Sequence, residues 1–224
     1  TTRPKGVRRR VLPGMQSLTA GPDEALLYVP AGALRGRAPR LVVAFHGAGG
    51  DAAHGMRLLA GAADAAELAI LAPSSHGTTW DAIHSGFGPD VARVDRLLAA
   101  AFARVPAAPP LLLAGFSDGA SYALSLGLAN GDLVGGVVAF SPGFVVPGPR
   151  HGRPRVYVSH GTADPVLPVD LTSRRLVPAL VQEGYDVRYE EFSGGHEVPP
   201  DRVQAALATL LGPDDPATAP PGRI

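Results

Sequence analysis

The stretch LLLAGFSDGASYALSLGLA, residues 111–129, predicts a buried strand that runs directly into a helix. Four apolar residues precede Gly115, and an alanine- and leucine-rich helical pattern follows Gly119. Between these glycines the pattern is G-x-S-x-G, with Ser117 at the corner. So tight a corner forces its central residue toward positive φ, and small residues two positions before and after it avoid a clash. We therefore expect Ser117 to present its hydroxyl at the carboxyl end of a sheet, where ligands of α/β sheets bind.

Short apolar runs alternate with longer helical patterns along most of the chain. The runs predict buried strands of a mostly parallel sheet, with the last one nearer its edge, at 41–45, 68–73, 111–116, 133–140, 155–160 and 186–192. Two further strands, joined as a hairpin at one edge, are predicted at 15–20 and 25–30. Helices are predicted at 56–68, 90–105, 120–129, 171–183 and 201–211. The pattern indicates one α/β domain over residues 1–224 with about eight strands, and loosely ordered ends at 1–14 and 213–224.

The composition excludes several classes of protein. The formal net charge is zero, so no overall field attracts nucleic acid, and no apolar run reaches the ~20 residues of a membrane span. There is no cysteine, and Lys5 is the only lysine; the arginine bias with many prolines suits a heat-tolerant protein. The arginine-rich start lacks an apolar stretch, which predicts a cytoplasmic protein if that terminus is native and a secreted one if a signal peptide was removed.

A serine hydroxyl needs a base to take its proton, and the base needs an acid to orient it. With the chain order serine, acid, histidine, the strand ends that follow Ser117 offer Asp164 in HGTADPVLP and His196 in GGHEVPP. Both lie at the same sheet edge as Ser117, so we expect the three side chains to converge. The competing histidines and acids are His46, His160, Asp170 and Asp186. His160 ends a strand nearby, where it either lines the pocket or contacts a backbone carbonyl, and the position of Asp170 suits a cap of the next helix.

An oxyanion requires at least two aimed donors. The N–H of Asp118, directly after the serine, is one candidate. The glycine-rich loop FHGAGGDAAH, residues 45–54, offers the second, for which we choose the N–H of Ala48. This loop lacks the lysine of a nucleotide-binding G-x-x-x-x-G-K-[ST] motif. No H-E-x-x-H spacing occurs either, so the histidines predict no metal site.

The segments AFHGAGG, GFSDGAS, HGTADPVLP and GGHEVPP together resemble the α/β-hydrolase superfamily. Within it, the chain is similar to the small phospholipase/carboxylesterase branch, near the acyl-protein thioesterases and polyhydroxyalkanoate-depolymerase-like esterases, over residues 24–211. The resemblance implies Ser117 as nucleophile, His196 as base, Asp164 as orienting acid, and the Ala48 and Asp118 amides as oxyanion hole, without a cofactor. Asp118 departs from the glutamine, methionine or alanine of many relatives, and the absence of cysteine argues against dienelactone hydrolase activity.

The segment 141–154 is too short for a cap or lid, so we expect an open site that admits bulky or polymeric esters. The loop at 74–90 should face the same edge as Ser117. It offers Trp80, which either lines the substrate pocket or packs over the following helix. The other predicted substrate-binding residues are Gly47, His84, Phe87 and Phe144.

The predicted function is that of a serine carboxylic-ester hydrolase that works through an acyl-enzyme. Its expected partner is a small-molecule or polymeric ester, with no nucleic acid and no membrane span, and a monomer is favoured. Hydrolysis of polyesters, thioesters or lysophospholipids remains open as an alternative. A non-catalytic binding protein of the same fold is a further alternative, but such proteins usually lose one member of the triad.

Overall fold

The computed structural model of the protein describes residues 12–35 and 38–212, except for the side chains of residues 34, 35, 84 and 85. Eight strands form one sheet: β1 (Gly14–Ala20), β2 (Asp23–Val29), β3 (Arg40–Phe45), β4 (Leu68–Pro73), β5 (Ala108–Phe116), β6 (Val134–Phe140), β7 (Arg155–Gly161) and β8 (Val187–Phe192). The α-helices are α1 (Ala52–Arg57), α2 (Ala82–Ser85), α3 (Pro89–Phe102), α4 (Asp118–Ala129), α5 (Ser173–Gln182) and α6 (Pro200–Leu211). Short 3-10 helices occupy Ala31–Arg35, Ala60–Ala62 and Val169–Leu171.

The sheet has the strand order β1-β2-β4-β3-β5-β6-β7-β8. The hairpin β1–β2 pairs antiparallel, β2 pairs antiparallel with β4, and all remaining pairs are parallel. The predicted mostly parallel sheet of about eight strands is therefore confirmed, with the hairpin at one edge and β8 at the other. Since β3, β5, β7 and β8 run in the same direction, the loops that follow them meet at one edge of the sheet.

Helices cover both faces of the sheet, so its central strands are apolar on both sides. On β5, Leu111 and Leu113 pack with α3, α4 and α5 on one face. Leu112 and Ala114 of the same strand pack with residues of α1 and α6 on the other face. This three-layer arrangement is why the central strands are continuous apolar runs rather than alternating ones.

The helix predicted at 56–68 was wrong. Asp51 caps a helix that begins earlier, at Ala52, because its carboxylate accepts the N–H of His54 at 3.0 Å. This helix ends at Arg57, a 3-10 turn follows, and Glu67 at φ 50° reverses the chain into β4, which begins at Leu68. The alanine-rich composition of residues 56–68 favours a helix, but Leu68, the last residue of that range, is the first residue of β4.

Two other predicted boundaries differ from the structure. Strand β5 begins at Ala108 and includes Pro109 and Pro110, which precede the strand predicted at 111–116. The pairing of β5 with both neighbours shifts register at this point, and prolines are tolerated where a ladder is irregular. The short helix α2 was not predicted. At the ends, Gly14 already belongs to β1, while residues 1–11 and 213–224 lie outside the described part of the chain.

None of the helices in the described ranges has the length and hydrophobicity needed to cross a bilayer.

Candidate active site

The corner between β5 and α4, which we call the elbow (residues 115–119), holds Ser117 in a strained backbone conformation. Ser117 has φ 58° and ψ −119°, so the predicted positive φ is confirmed. A Cβ atom at position 115 would overlap the carbonyl oxygen of Gly119. At position 119 it would overlap the carbonyl oxygens of Phe45 and His46, at the end of β3. Glycine is therefore required at both positions, because the clashing atoms belong to the backbone and cannot move aside as a side chain could.

Replacing Gly119 with alanine is expected to destabilise the fold by about 1–3 kcal/mol, because α4 has to move away from the end of β3. Gly148→Ala is the matched control: a Cβ there meets nothing within 4 Å, and its φ is not positive. Urea unfolding of the two variants measures the difference. Equal stabilities would contradict the close approach of α4 to β3.

Three side chains from separate loops form a chain of hydrogen bonds at the sheet edge. His196 Nε2 lies 2.8 Å from Ser117 Oγ, and His196 Nδ1 lies 2.6 Å from Asp164 Oδ2. The loop after β7 reaches the loop after β8 because their backbones are joined: Thr162 N–H donates to Phe192 O and Ala163 N–H to Gly194 O, both at 2.9 Å. The pairing of these two loops therefore fixes the distance between the acid and the histidine.

Asp164 is held as a carboxylate by donors on both of its oxygens. The N–H groups of Val166 and Leu167 each donate to Oδ1 at 2.8 Å, which leaves Oδ2 for His196. Burial by itself would raise the pKa of the Asp164 carboxyl, but the hydrogen bonds from Leu167, His196 and Val166 outweigh it and lower the pKa below its ordinary value. The carboxylate is thus charged at neutral pH and oriented toward the imidazole.

His160, which sequence analysis left with two alternative roles, lies behind the acid. It is fully buried, and its Nε2 is 2.8 Å from Leu167 O and 3.2 Å from Asp164 Oδ2. Its Nδ1 is 2.7 Å from the hydroxyl of Ser173, so a neutral ring with its proton on Nε2 satisfies all these neighbours. Burial lowers the pKa of His160, which favours this neutral form. The contact with the backbone carbonyl was one of the two alternatives; the contact with Asp164 was not predicted.

The glycine-rich loop after β3 lies against the elbow. The His46 ring is buried; its Nδ1 donates to Gly47 O at 2.7 Å, and its Nε2 accepts the N–H of Ser75 at 3.0 Å. Burial lowers the pKa of His46, consistent with a neutral ring that holds the loop. Gly47 touches the elbow closely, since a Cβ there would lie 3.4 Å from that of Ser117. Next to it, the N–H of Ala48 makes no hydrogen bond to another described residue.

The Asp118 side chain, whose role the sequence did not decide, anchors the loop after β4. Its Oδ2 accepts the N–H of Trp80 at 2.9 Å and the hydroxyl of Thr79. Trp80 itself is fully buried, stacks on Tyr122 and donates its Nε1–H to His46 O at 2.8 Å. Trp80 therefore packs under the elbow, and its predicted role as a wall of the substrate pocket was wrong. Trp80 can be fully buried because its indole N–H has a buried hydrogen-bond acceptor, the carbonyl oxygen of His46.

A cavity of about 650 Å³ lies beside His196 and the loop after β3. Gly47 and Ala48 line it, together with Phe116, whose ring packs 4.6 Å from the His196 ring. The remaining lining comes from the rest of the loops after β3 and β8, from α1 with the turn that follows it, and from α6. Sequence analysis did not connect these two helices with the site. The signal was present, because these helices directly follow the two loops that carry Ala48 and His196.

The other predicted substrate-binding residues lie elsewhere or cannot be placed. Phe87 is exposed and borders a separate cavity of about 440 Å³ between α3 and α4, not the cavity beside His196, and its contact with substrate stays a prediction. Phe144 is half-buried in the loop after β6 and does not line that cavity either. Its N–H, like that of Gly143, donates to Ser121 Oγ, which ties this loop to α4. The side chain of His84 lies outside the described residues.

Histidine and acidic side chains do not gather into a metal site. Within residues 12–35 and 38–212 there is no group of three or more His, Asp or Glu residues with an arrangement that could hold a metal ion. The histidines closest to Ser117 are each engaged by protein atoms.

Comparison with known proteins was consistent with this geometry. The sequence profile of the phospholipase/carboxylesterase family matches residues 77–211, which is more than half of the chain. The matched range begins before α2 and includes the elbow and the loops of Asp164 and His196. A search of curated proteins found no significant match.

Several solved structures are similar to this fold. Esterase PE8 is 25% identical, with a TM-score of 0.68 over 88% of this chain and 98% of that one. A phospholipase/carboxylesterase from Dyadobacter fermentans is 24% identical, with a TM-score of 0.65 over 90% of this chain and all of that one. Fluorophosphonate-binding serine hydrolase F of Staphylococcus aureus is 16% identical, with a TM-score of 0.67 over 83% and 92%. The latter two demonstrate a shared fold only.

Proposed function

The chain belongs to the phospholipase/carboxylesterase family of hydrolases with the α/β-hydrolase fold, and on that premise we propose that it is a serine carboxylic-ester hydrolase. In this proposal Ser117 is the nucleophile, His196 the general base and Asp164 the orienting acid. The observation that carries it is the unbroken chain of hydrogen bonds from Ser117 Oγ through the His196 ring to Asp164. Family membership by itself leaves open which residues act.

Acylation begins with the proton of Ser117. With its own proton on Nδ1, donated to Asp164, the His196 ring has a free electron pair on Nε2, 2.8 Å from the hydroxyl. As Oγ attacks the ester carbonyl, Nε2 takes the hydroxyl proton and a C–O bond forms. The imidazolium that results is stabilised by the charged Asp164. Collapse of the tetrahedral intermediate breaks the bond to the alcohol, which leaves with the proton from Nε2.

Deacylation repeats these steps with water. His196 removes a proton from a water molecule as its oxygen attacks the acyl-enzyme, and the proton then returns to Ser117 Oγ when the acid is released. In both halves the carbonyl oxygen becomes negative. The N–H groups of Ala48 and Asp118 would stabilise that charge, each worth about 3 kcal/mol in the transition state when well aimed. For Ala48 the support is an N–H without another described partner.

The segment between β6 and β7 supports an open site. Residues 141–154 are all described and contain no α-helix and no extended strand that would cover Ser117. Bulky alcohol or acyl groups are therefore compatible with the site.

A fluorophosphonate probe tests the proposal directly, because it reacts with a serine only when that hydroxyl is activated. We expect the wild-type protein to be labelled once, on the peptide that contains Ser117. The His196→Ala variant should react at least about a hundredfold more slowly, since the loss of a general base costs at least that factor.

Ser193→Ala is the matched control, because Ser193 is exposed and lies in the loop that carries His196. Its labelling should equal that of the wild type. Labelling of a residue other than Ser117, or no labelling of the folded protein, would contradict the proposed nucleophile and would favour a binding protein with this fold.

A further inference from the structure

The cavity beside His196 has an apolar floor and charged groups at its margin. Its apolar lining comes from the turn and 3-10 helix after α1, the elbow, the loop of His196 and α6, and includes Leu58, Ala62, Phe116, Val198 and Val203. A volume of about 650 Å³ accommodates a chain or ring of several carbon atoms. His196 and Ala48 also line it, and His196 Nε2 lies 2.8 Å from Ser117 Oγ, so the cavity adjoins the proposed nucleophile.

Arg57, on the last turn of α1, is the charged side chain of this cavity that has no partner among the residues the structure describes. Among the arginine side chains that the structure describes, every other one donates to a carboxylate or a backbone carbonyl. Arg57 is exposed and makes no such hydrogen bond within the described residues. The neighbouring His54 is already engaged, since its Nδ1 lies 2.7 Å from the carboxylate of Asp51. The guanidinium is therefore available to a ligand.

The charges of the cavity are placed asymmetrically. Glu197 follows His196 in the chain, and its Oε1 accepts the N–H of Gly195 at 3.2 Å, so a negative group marks the side of the reacting histidine. Arg57 extends into the cavity from α1, the helix that follows the glycine-rich loop after β3. Gln204 of α6 adds a neutral amide to the lining. Arg57 is the one arginine or lysine among the described residues that line the cavity, so the site suits a monoanion better than a dianion, whose second negative charge would find no second guanidinium.

We propose that this cavity binds the part of an ester substrate that is apolar near the ester bond and ends in a carboxylate, which pairs with Arg57. This inference rests on the proposed ester hydrolysis and adds a substrate class to it: half-esters of dicarboxylic acids, or esters of hydroxy acids. A planar guanidinium donates two parallel hydrogen bonds to a carboxylate, and the apolar floor contacts the carbon chain between the two ends.

The test compares matched esters that differ only in this terminal charge. On the acyl side the pair is the mono-4-nitrophenyl ester of octanedioic acid and the same compound capped as its methyl ester, followed by release of nitrophenolate. On the alcohol side the pair is 6-acetoxyhexanoate and its methyl ester, followed by release of acetate. For each pair we compare the kcat/KM of the charged ester with that of the neutral ester. In Arg57→Gln this ratio should fall about fivefold to tenfold in at least one pair, because the variant loses a partly solvated, charged hydrogen bond. Turnover of the neutral esters should stay within about twofold, since nothing else in the site changes.

Three further variants separate a specific contact from other effects. Arg57→Lys keeps the charge and should retain much of the ratio. Arg175→Gln removes an exposed arginine of α5 outside the cavity, and should leave the ratio unchanged although the net charge changes equally. Glu197→Gln should raise the ratio about twofold by removing repulsion. If Arg57→Gln still hydrolyses the neutral esters and the ratio is unchanged in both pairs, this inference is overturned and the proposed function is not. Absence of turnover on every ester would overturn the proposed function and this inference together.

Discussion

Replacing Ser117 with alanine is expected to lower kcat/KM for a short-chain 4-nitrophenyl ester by roughly 10⁴-fold or more, because among the described residues the Ser117 hydroxyl is the one bonded to His196 Nε2, which removes its proton. The thermal midpoint should stay within about 2 °C of the wild type, since the substitution removes one half-buried oxygen and leaves the strained backbone as it is. Initial rates at several ester concentrations, with thermal unfolding by circular dichroism, measure both quantities.

The same pair of measurements on Ser193→Ala supplies the control, with activity and stability near those of the wild type. Wild-type-like turnover by Ser117→Ala would reject Ser117 as the nucleophile. A large fall in the thermal midpoint would instead mean that the hydroxyl holds the elbow together, and the lost activity would then say nothing about a catalytic role.

Replacing Asp164 with asparagine is expected to lower kcat by roughly 10³- to 10⁴-fold, with the fold intact. The two backbone N–H groups of Val166 and Leu167 require an acceptor at the Oδ1 position, so the amide oxygen of the new side chain has to stay there. Its NH₂ group then occupies the Oδ2 position and faces His196 Nδ1. The imidazole is driven to carry its proton on Nε2, where it cannot accept the proton of Ser117.

Asp170→Asn is the matched control, because Asp170 follows the same strand and was the competing acid in the sequence. It is exposed and pairs with Arg174 at 2.7 Å, away from His196. We expect this variant to retain its activity. Equal losses in both variants, or none in Asp164→Asn, would contradict the assignment of the acid, and fluorophosphonate labelling of Ser117 would then show whether the serine is still activated.

A structural feature could be predicted from the sequence when the interactions that produce it lie within a few consecutive residues. The elbow was predictable because its positive φ and the clash that requires Gly115 arise within five consecutive residues. The close approach of β3, which also requires Gly119, appears only in the tertiary structure. The order of serine, acid and histidine loops followed from strands that are continuous apolar runs. The helix predicted at 56–68 failed for the opposite reason: local propensity does not decide where a helix ends, and Met56, Leu59 and Ala63 are buried in the tertiary core although α1 ends at Arg57.

The substrate side of the site was predicted least well. Trp80 has the size and polarity of either a pocket wall or a core residue, and only the contacts with Tyr122 and His46 decide between them. Likewise, nothing in the composition of α1 or α6 marks Arg57 or Gln204 as cavity residues. They line it because the helices after two separate loops come together over the same face of the sheet.

The sequence by itself determined the layer architecture, the strained serine corner and the residues that compete for each role, because these depend on periodicity and on turn sterics within a few residues. Only the tertiary structure decided which acid meets which histidine, which aromatic side chain is buried, and which arginine is left without a partner. Those outcomes are set by distances between residues far apart in the chain, and such distances exist only once the strands have paired.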